Sequence, residues 1–252
     1  MRLFNIFCIT ALSAAAASPA AAMVGNTQAA LVSGRHAVMI VGARGTFCTG
    51  AAIARDLVLT AGHCTVSGSV YKILESGTPS APVFIDVVKV AAHPQFSLQT
   101  MLAHRATADV ALMKLARPLP ASIVPATLGN SGRAPQPGDR YTVTGYGLAA
   151  RGDEKSIGTL RAASLVATGR PGSLQIRLVD PATGGTRSGM GACTGDSGAP
   201  VYEGTALIGV VSWSTGPNLE DGCGGLTGVT PITLYRAWIV DEARRLGSPL
   251  QP

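Results

Sequence analysis

Short apolar runs recur along the chain, each cut off by glycine, proline or a polar cluster. Ala37–Val41, Leu57–Thr60, Phe84–Val90, Val110–Leu115, Tyr141–Gly145 and Leu207–Trp213 are rich in Val, Ile, Leu and Thr. Runs this short and this β-branched predict strands. With 31 glycines and 16 prolines breaking them up, the pattern is that of an all-β barrel or sandwich. A helical period emerges only near the C-terminus. In TLYRAWIVDEARRL, Leu234, Trp238 and Ile239 are expected to share a face, while Asp241, Glu242, Arg244 and Arg245 crowd the last turns. Residues 117–138 are dense in Pro and Gly and are expected to link two halves. Residues 151–155 (RGDEK) read as an exposed loop.

The first apolar run is of another kind. Arg2 precedes an uncharged stretch, Leu3–Ala17, and Ala20, Ala21 and Ala22 then offer small residues to a signal peptidase. This predicts a secretory signal peptide over residues 1–22, cut after Ala22, with a mature chain beginning at Met23 and a secreted or periplasmic location. No later run is long enough to span a bilayer. Cys8 would leave with the signal. The remaining four, Cys48, Cys64, Cys193 and Cys223, make an even set in an exported chain, which argues for two disulfides with three connectivities open. No C-x-x-C pair or histidine cluster supports zinc, and no metal is expected.

Composition narrows the function. Hydrophobic residues make up 46% of the chain and charged ones 13%, enough for a core and too little charge for a disordered chain. The net charge of +6 is scattered, with no Lys/Arg run, so it favours solubility over a nucleic-acid surface.

The stretch CTGDSGAP, residues 193–200, holds the candidate chemistry. Gly, Asp and Ser also make ordinary turns. A serine nucleophile, however, needs a base, and the base needs an orienting acid. The four histidines, His36, His63, His93 and His104, all precede Ser197. That order excludes an α/β-hydrolase, in which serine comes first. A subtilisin-type order would need an acid upstream of His63, and Asp56 is too close. The order left is His, Asp, Ser: His63 in LTAGHC, Asp109 in ADVALMKL and Ser197 in CTGDSGAP.

These three collinear motifs resemble the trypsin-like, chymotrypsin-fold serine endopeptidases. MVGN at Met23, AAHPQF, the GYG of residues 145–147, SWS at residues 212–214 and TGVTPI are weaker echoes. The resemblance implies an all-β fold of two six-stranded antiparallel β-barrels with a C-terminal α-helix: an N-terminal barrel over about residues 23–130, a C-terminal barrel over about 131–230 and the helix over about 233–246. It implies the pairings Cys48–Cys64 and Cys193–Cys223, the first worth roughly 3 kcal/mol of chain entropy.

The resemblance also implies roles. Ser197 would attack the carbonyl, His63 would shuttle the proton, Asp109 would orient the imidazole, and the N–H groups of Gly195 and Ser197 would hold the oxyanion. Gly195 would be glycine so that its backbone can approach substrate closely. Met23 would pair with Asp196 through a freed α-amino group, with no propeptide, so an extra residue before Met23 is expected to impair activity. Gly191, Ala192, Ser212, Trp213, Ser214 and Gly228 would form the substrate site. Gly191 stands where tryptic enzymes carry an acid, so an uncharged P1 side chain is expected. Glu220 and Asp221, near Cys223, read as solvated loop charges, or would lend negative charge to the pocket if their loop folds inward.

No cofactor is implied. The partners are a peptide or protein substrate and, as a second class, a protein inhibitor. Neither nucleic acid nor, after signal removal, membrane is expected, and a monomer is the default. Two other readings stay open: a binding or toxin-like module that keeps the fold without turnover, and an esterase using the same triad.

Overall fold

The structure, a computed structural model, describes residues 23–25, 28–29, 33–43, 45–65, 70–78, 81–130, 133–169 and 174–250. The expected signal peptide lies outside the described residues. Six strands close the first barrel: β2 (Ala37–Gly42), β3 (Phe47–Ala54), β4 (Leu57–Thr60), β5 (Tyr71–Thr78), β6 (Ala81–Ala92) and β7 (Ala111–Leu115), in the order β2-β3-β4-β7-β6-β5. The second barrel comprises β8 (Arg140–Gly145), β9 (Arg161–Ala167), β10 (Ile176–Val179), β11 (Pro200–Glu203), β12 (Ala206–Ser214) and β13 (Thr227–Pro231). It runs β9-β10-β13-β12-β11-β8 and closes through the β8–β9 ladder. All these pairs are antiparallel, so the expected two six-stranded barrels are present. A two-residue strand, β1 (Gln28–Ala29), adds to the outside of β9, so this early segment of the chain sits on the second barrel.

Alternation along the strands sorts side chains into three cores. Val58 points into the first barrel beside Val38, Ile40, Ile73, Ile85 and Met113. Its neighbours Leu57 and Leu59 point the other way, toward Tyr202, Leu207 and Val210 of the second barrel. This period of two lets one strand serve both its own barrel and the contact between barrels. The second barrel's interior holds Met23, Val143, Leu165, Leu178, Val201 and Val229.

Among the described residues two α-helices accompany the barrels. A short one, α1 (Leu98–Leu102), is capped by the Ser97 side chain and is too brief to leave a period in the sequence. The C-terminal helix, α2 (Arg236–Arg245), buries Ile239 and Ala243 in the inter-barrel core, with Trp238 packed at its edge. Leu234 is not on that face. It lies in a preceding 3-10 turn (Ile232–Tyr235) and is exposed, because the tighter turn changes the angular spacing. The Pro- and Gly-rich link is fastened to the first barrel by Arg55, whose guanidinium donates to the carbonyls of Leu119, Pro120 and Ile123.

Candidate active site

The first barrel contributes an imidazole and a carboxylate. His63 lies on a 3-10 turn (Gly62–Thr65) directly after β4, and Asp109 lies just before β7. The β4–β7 ladder brings the two segments side by side. His63 Nδ1 is 2.8 Å from Asp109 Oδ2, and the His63 backbone N–H donates to Oδ1 at 2.8 Å. From the second barrel, Ser212 Oγ donates to Oδ2 at 2.5 Å. Asp109 is 1% exposed. A carboxylate this buried has to be compensated by donors, and here it has three. The contact with Nδ1 leaves Nε2 as the imidazole nitrogen not engaged by the acid.

The second barrel contributes the loop of residues 193–198, between β10 and β11. Turn hydrogen bonds run from the Asp196 N–H to Cys193 O and from the Ala199 N–H to Asp196 O. The loop is locked onto the first barrel through Thr49, whose N–H donates to Ser197 O at 2.8 Å and whose hydroxyl donates to Gly195 O at 2.8 Å. Gly195 has φ +94°, a left-handed backbone that L side chains rarely adopt, and a side chain there would press on Gly147 Cα at 2.9 Å. A tight turn against Gly147 is thus a reason for glycine at this position in addition to the close approach of substrate that its sequence context suggests. Gly198, at φ +78°, would drive a side chain into Thr60 and Thr49.

Asp196 is fully buried beneath this loop. Its Oδ1 accepts from the Gly147 N–H and its Oδ2 from the Cys193 N–H, both at 2.9 Å. Side chains at Gly145 or Gly147 would collide with its carboxylate, which explains the two glycines of the GYG stretch. Burial pushes the Asp196 carboxyl up to about 7, against the pull of the two N–H donors and of the Arg161 charge.

The two contributions meet in a cleft of about 500 Å³ between the barrels. His63, Gly195, Ser197, Trp213 and Ser214 line it, together with Phe47 and Ile157. Gly191, Ala192 and Gly228 are not among its lining residues, and Ser212 lines the concavity next to it together with Trp213 and Ser214. Ser212 turns its hydroxyl to Asp109. Gly191 exchanges both backbone hydrogen bonds with Val24, and Ala192, fully buried, donates its N–H to Thr227 Oγ1. A side chain on Gly228 would strike the Trp213 indole, so that ring lies where a pocket wall was expected. Trp213 also faces a second concavity beyond the cleft, with Arg177 5.9 Å from its ring centroid. Ser214 Oγ donates to Gly222 O at 3.3 Å. Glu220 and Asp221 are exposed.

Met23 is fully buried in the second barrel's core, beside Ala192 and Ala199, which flank the loop. Both disulfides pair as the resemblance implied, Cys48–Cys64 and Cys193–Cys223. Cys48, His63 and Cys64 bring potential ligand atoms within 4.8 Å of one another, but the two sulfurs are joined and offer no thiolate. Among the described residues no helix is long and apolar enough to cross a membrane.

Thr49 escaped the sequence reading. Its only signal is a threonine in an otherwise small and apolar run, FCTGAAIA, where a fully buried hydroxyl demands a partner.

Two closed barrels, with a cleft between them and a helix packed across their junction, define the chymotrypsin-fold class. The sequence profile of the trypsin family matches residues 23–239, and the chain belongs to that family of serine endopeptidases. It is 29% identical to trypsin-3 of Salmo salar over 222 residues, covering 84% of this chain and 85% of that protein. It is 31% identical to trypsin 5G1 of Aedes aegypti, covering 68% and 66%. A snake venom serine protease of Bitis rhinoceros, rhinocerase 4, is 25% identical over 86% of each chain. Human heparin binding protein shares the fold, with a TM-score of 0.70 at 22% identity over 91% of this chain and all of that one.

Proposed function

We propose that this trypsin-family chain is an exported endopeptidase that cleaves peptide bonds through an acyl-enzyme on Ser197. His63 Nε2 takes the Ser197 proton as the hydroxyl attacks the carbonyl and returns it to the leaving amine. Asp109 holds Nδ1 protonated and stabilises the imidazolium that forms. The Gly195 and Ser197 N–H groups receive the oxyanion, an interaction worth about 2.7–4 kcal/mol per donor in such sites. Water then repeats the sequence in place of the amine and releases the acid.

The observation that carries this reading is the contact of His63 with a triply bonded, buried Asp109, in the same cleft as Ser197. The P1 side chain is read as uncharged: among the described residues lining the cleft there is no carboxylate, Glu220 and Asp221 lining only the neighbouring concavity, and the nearest polar atom to a side chain placed at Gly191 is the Thr227 hydroxyl, at 3.3 Å. Maturation by signal cleavage after Ala22 has its own support. Met23 is buried and holds φ 51°, a left-handed backbone that costs a non-glycine residue about 1–2 kcal/mol. Cutting the bond before it releases that strain.

Treating the purified exported protein with a fluorophosphonate and mapping the adduct tests the reading. One adduct, on Ser197 of a chain beginning at Met23, is the expected result. A folded Met23 chain that takes no label would refute it. A peptide library then reads the P1 preference, with cleavage after Lys or Arg counting against the uncharged pocket.

A further inference from the structure

The inward row of β9 runs Arg161, Ala163, Leu165, Ala167, four buried residues alternating with more exposed ones. Three of them suit a barrel core. Arg161, only 8% exposed, does not, and nothing in the triad chemistry uses it.

Its position follows from register. In the β8–β9 ladder Arg161 stands directly opposite Gly145. Residues directly opposite in an antiparallel pair project to the same face. A side chain at Gly145 would run into Asp196 Oδ1, so that face looks onto the Asp196 carboxylate. Arg161 therefore extends from the strand position next to the one the carboxylate occupies. Its Nη1 is steadied by the carbonyls of Ser156 and Thr159, at 3.4 and 3.3 Å, which set the guanidinium in place without neutralising it. Opposite charges attract over longer distances in a buried site than in water.

We propose that Arg161 is a positioning residue for the oxyanion loop: a built-in cation that favours the ionised form of Asp196 on the Cys193 and Gly147 N–H groups while no α-amino group is available from Met23. The pulls are mutual. Burial lowers the Arg161 pKa, and the charges of Asp196 and Asp153 raise it; Asp196 in turn is drawn down by Arg161. An N-terminal extension then impairs the enzyme without silencing it, and the activity left depends on Arg161.

The proposal rests on the endopeptidase reading and is tested with two forms of the whole chain, one beginning at Met23 and one carrying two extra residues before it. The rate of fluorophosphonate acylation is measured for each. The extended wild type is expected to react slowly but measurably. In that form Arg161→Gln lowers the rate at least tenfold and Arg161→Lys restores most of it, whereas in the Met23 form Arg161→Gln costs less than threefold. Equal losses in both forms, no loss in either, or an extended wild type that does not react while the Met23 form does would each overturn the proposal. A Met23 wild type that fails to react defeats the endopeptidase reading instead. The Arg161–Asp196 coupling is then still decided by thermal unfolding of Arg161→Met, Asp196→Asn and the double variant of the extended chain. The double variant is expected to lose less in Tm than the two single losses together, and simple additivity would overturn the coupling.

Discussion

Two aspartates are buried within the candidate active site, and they are held in opposite ways. Asp109 accepts two hydrogen bonds from groups of His63 and one from the Ser212 hydroxyl. Asp196 instead accepts, among the described residues, from backbone N–H groups of Gly147 and Cys193, with glycines cleared out of its way. The first carboxylate is wired to a side chain whose charge changes during a reaction. The second is keyed into the main chain, so its ionisation is transmitted to the shape of the loop carrying Gly195 and Ser197. In the proposed mechanism one barrel supplies the proton chemistry and the other supplies fixed backbone geometry. Thr49 ties the two together by bonding the loop from the first barrel.

The largest expected effect is at Asp109. Asp109→Asn keeps the shape but offers Nδ1 a donor as readily as an acceptor, and kcat is expected to fall about 10⁴-fold, the size of that exchange in a trypsin-type triad. Loss of less than tenfold in steady-state peptide hydrolysis would show that the imidazole is not oriented by this acid.

Asp196 gives the next largest effect, and it appears as a pH dependence. Its carboxyl ionises near 7 when folded and near its ordinary value of 3.8 when unfolded. Between those values the folded state holds the extra proton, so stability is full below about pH 4 and falls as pH rises toward 7. For the chain extended before Met23 the fall is roughly 4 kcal/mol from this group. Chemical denaturation from pH 4 to 8 should show Asp196→Asn losing that slope; identical slopes would contradict the burial account.

A methyl group sharpens the contrast further. Gly147→Ala places a carbon 2.5 Å from Asp196 Cγ and should cost about 1–3 kcal/mol, read as a lowered Tm, with a slower acylation rate because the loop must shift. An unchanged Tm would mean that the carboxylate has room to move. The smallest effect is at Ser212→Ala, which removes one of the three donors to Asp109. It should lower kcat about tenfold with little change in KM, as one charge-assisted bond is lost. A rise in KM alone would return Ser212 to the substrate edge.

Sequence and structure agree most where the information is local. Leu57–Thr60 and Tyr141–Gly145 announce themselves as strands because Val, Leu, Thr and Tyr alternate there. β3 and β9 do not, since FCTGAAIA and RAASLVA are made largely of small residues whose strand conformation is imposed by neighbours. The Leu234 assignment failed because a 3-10 turn shifts the helical phase. His63, Asp109 and Ser197 stood out through the motifs around them, and the structure brings the first two into contact and places the third in their cleft. What could not be read locally are the long-range choices. The Ser212 hydroxyl bonds an acid 103 positions away, Thr49 bonds a loop 146 positions away, and the Trp213 ring takes the space beside Gly228. No short-range pattern encodes such partners.

Whether the two barrels assemble an activated Ser197 is read by rapid-mixing kinetics with a chromogenic ester. The expected result is a burst of product equal to one equivalent of enzyme, followed by slower turnover, and no burst from Ser197→Ala. A folded wild-type chain that shows no burst and turns over no faster than Ser197→Ala would contradict it.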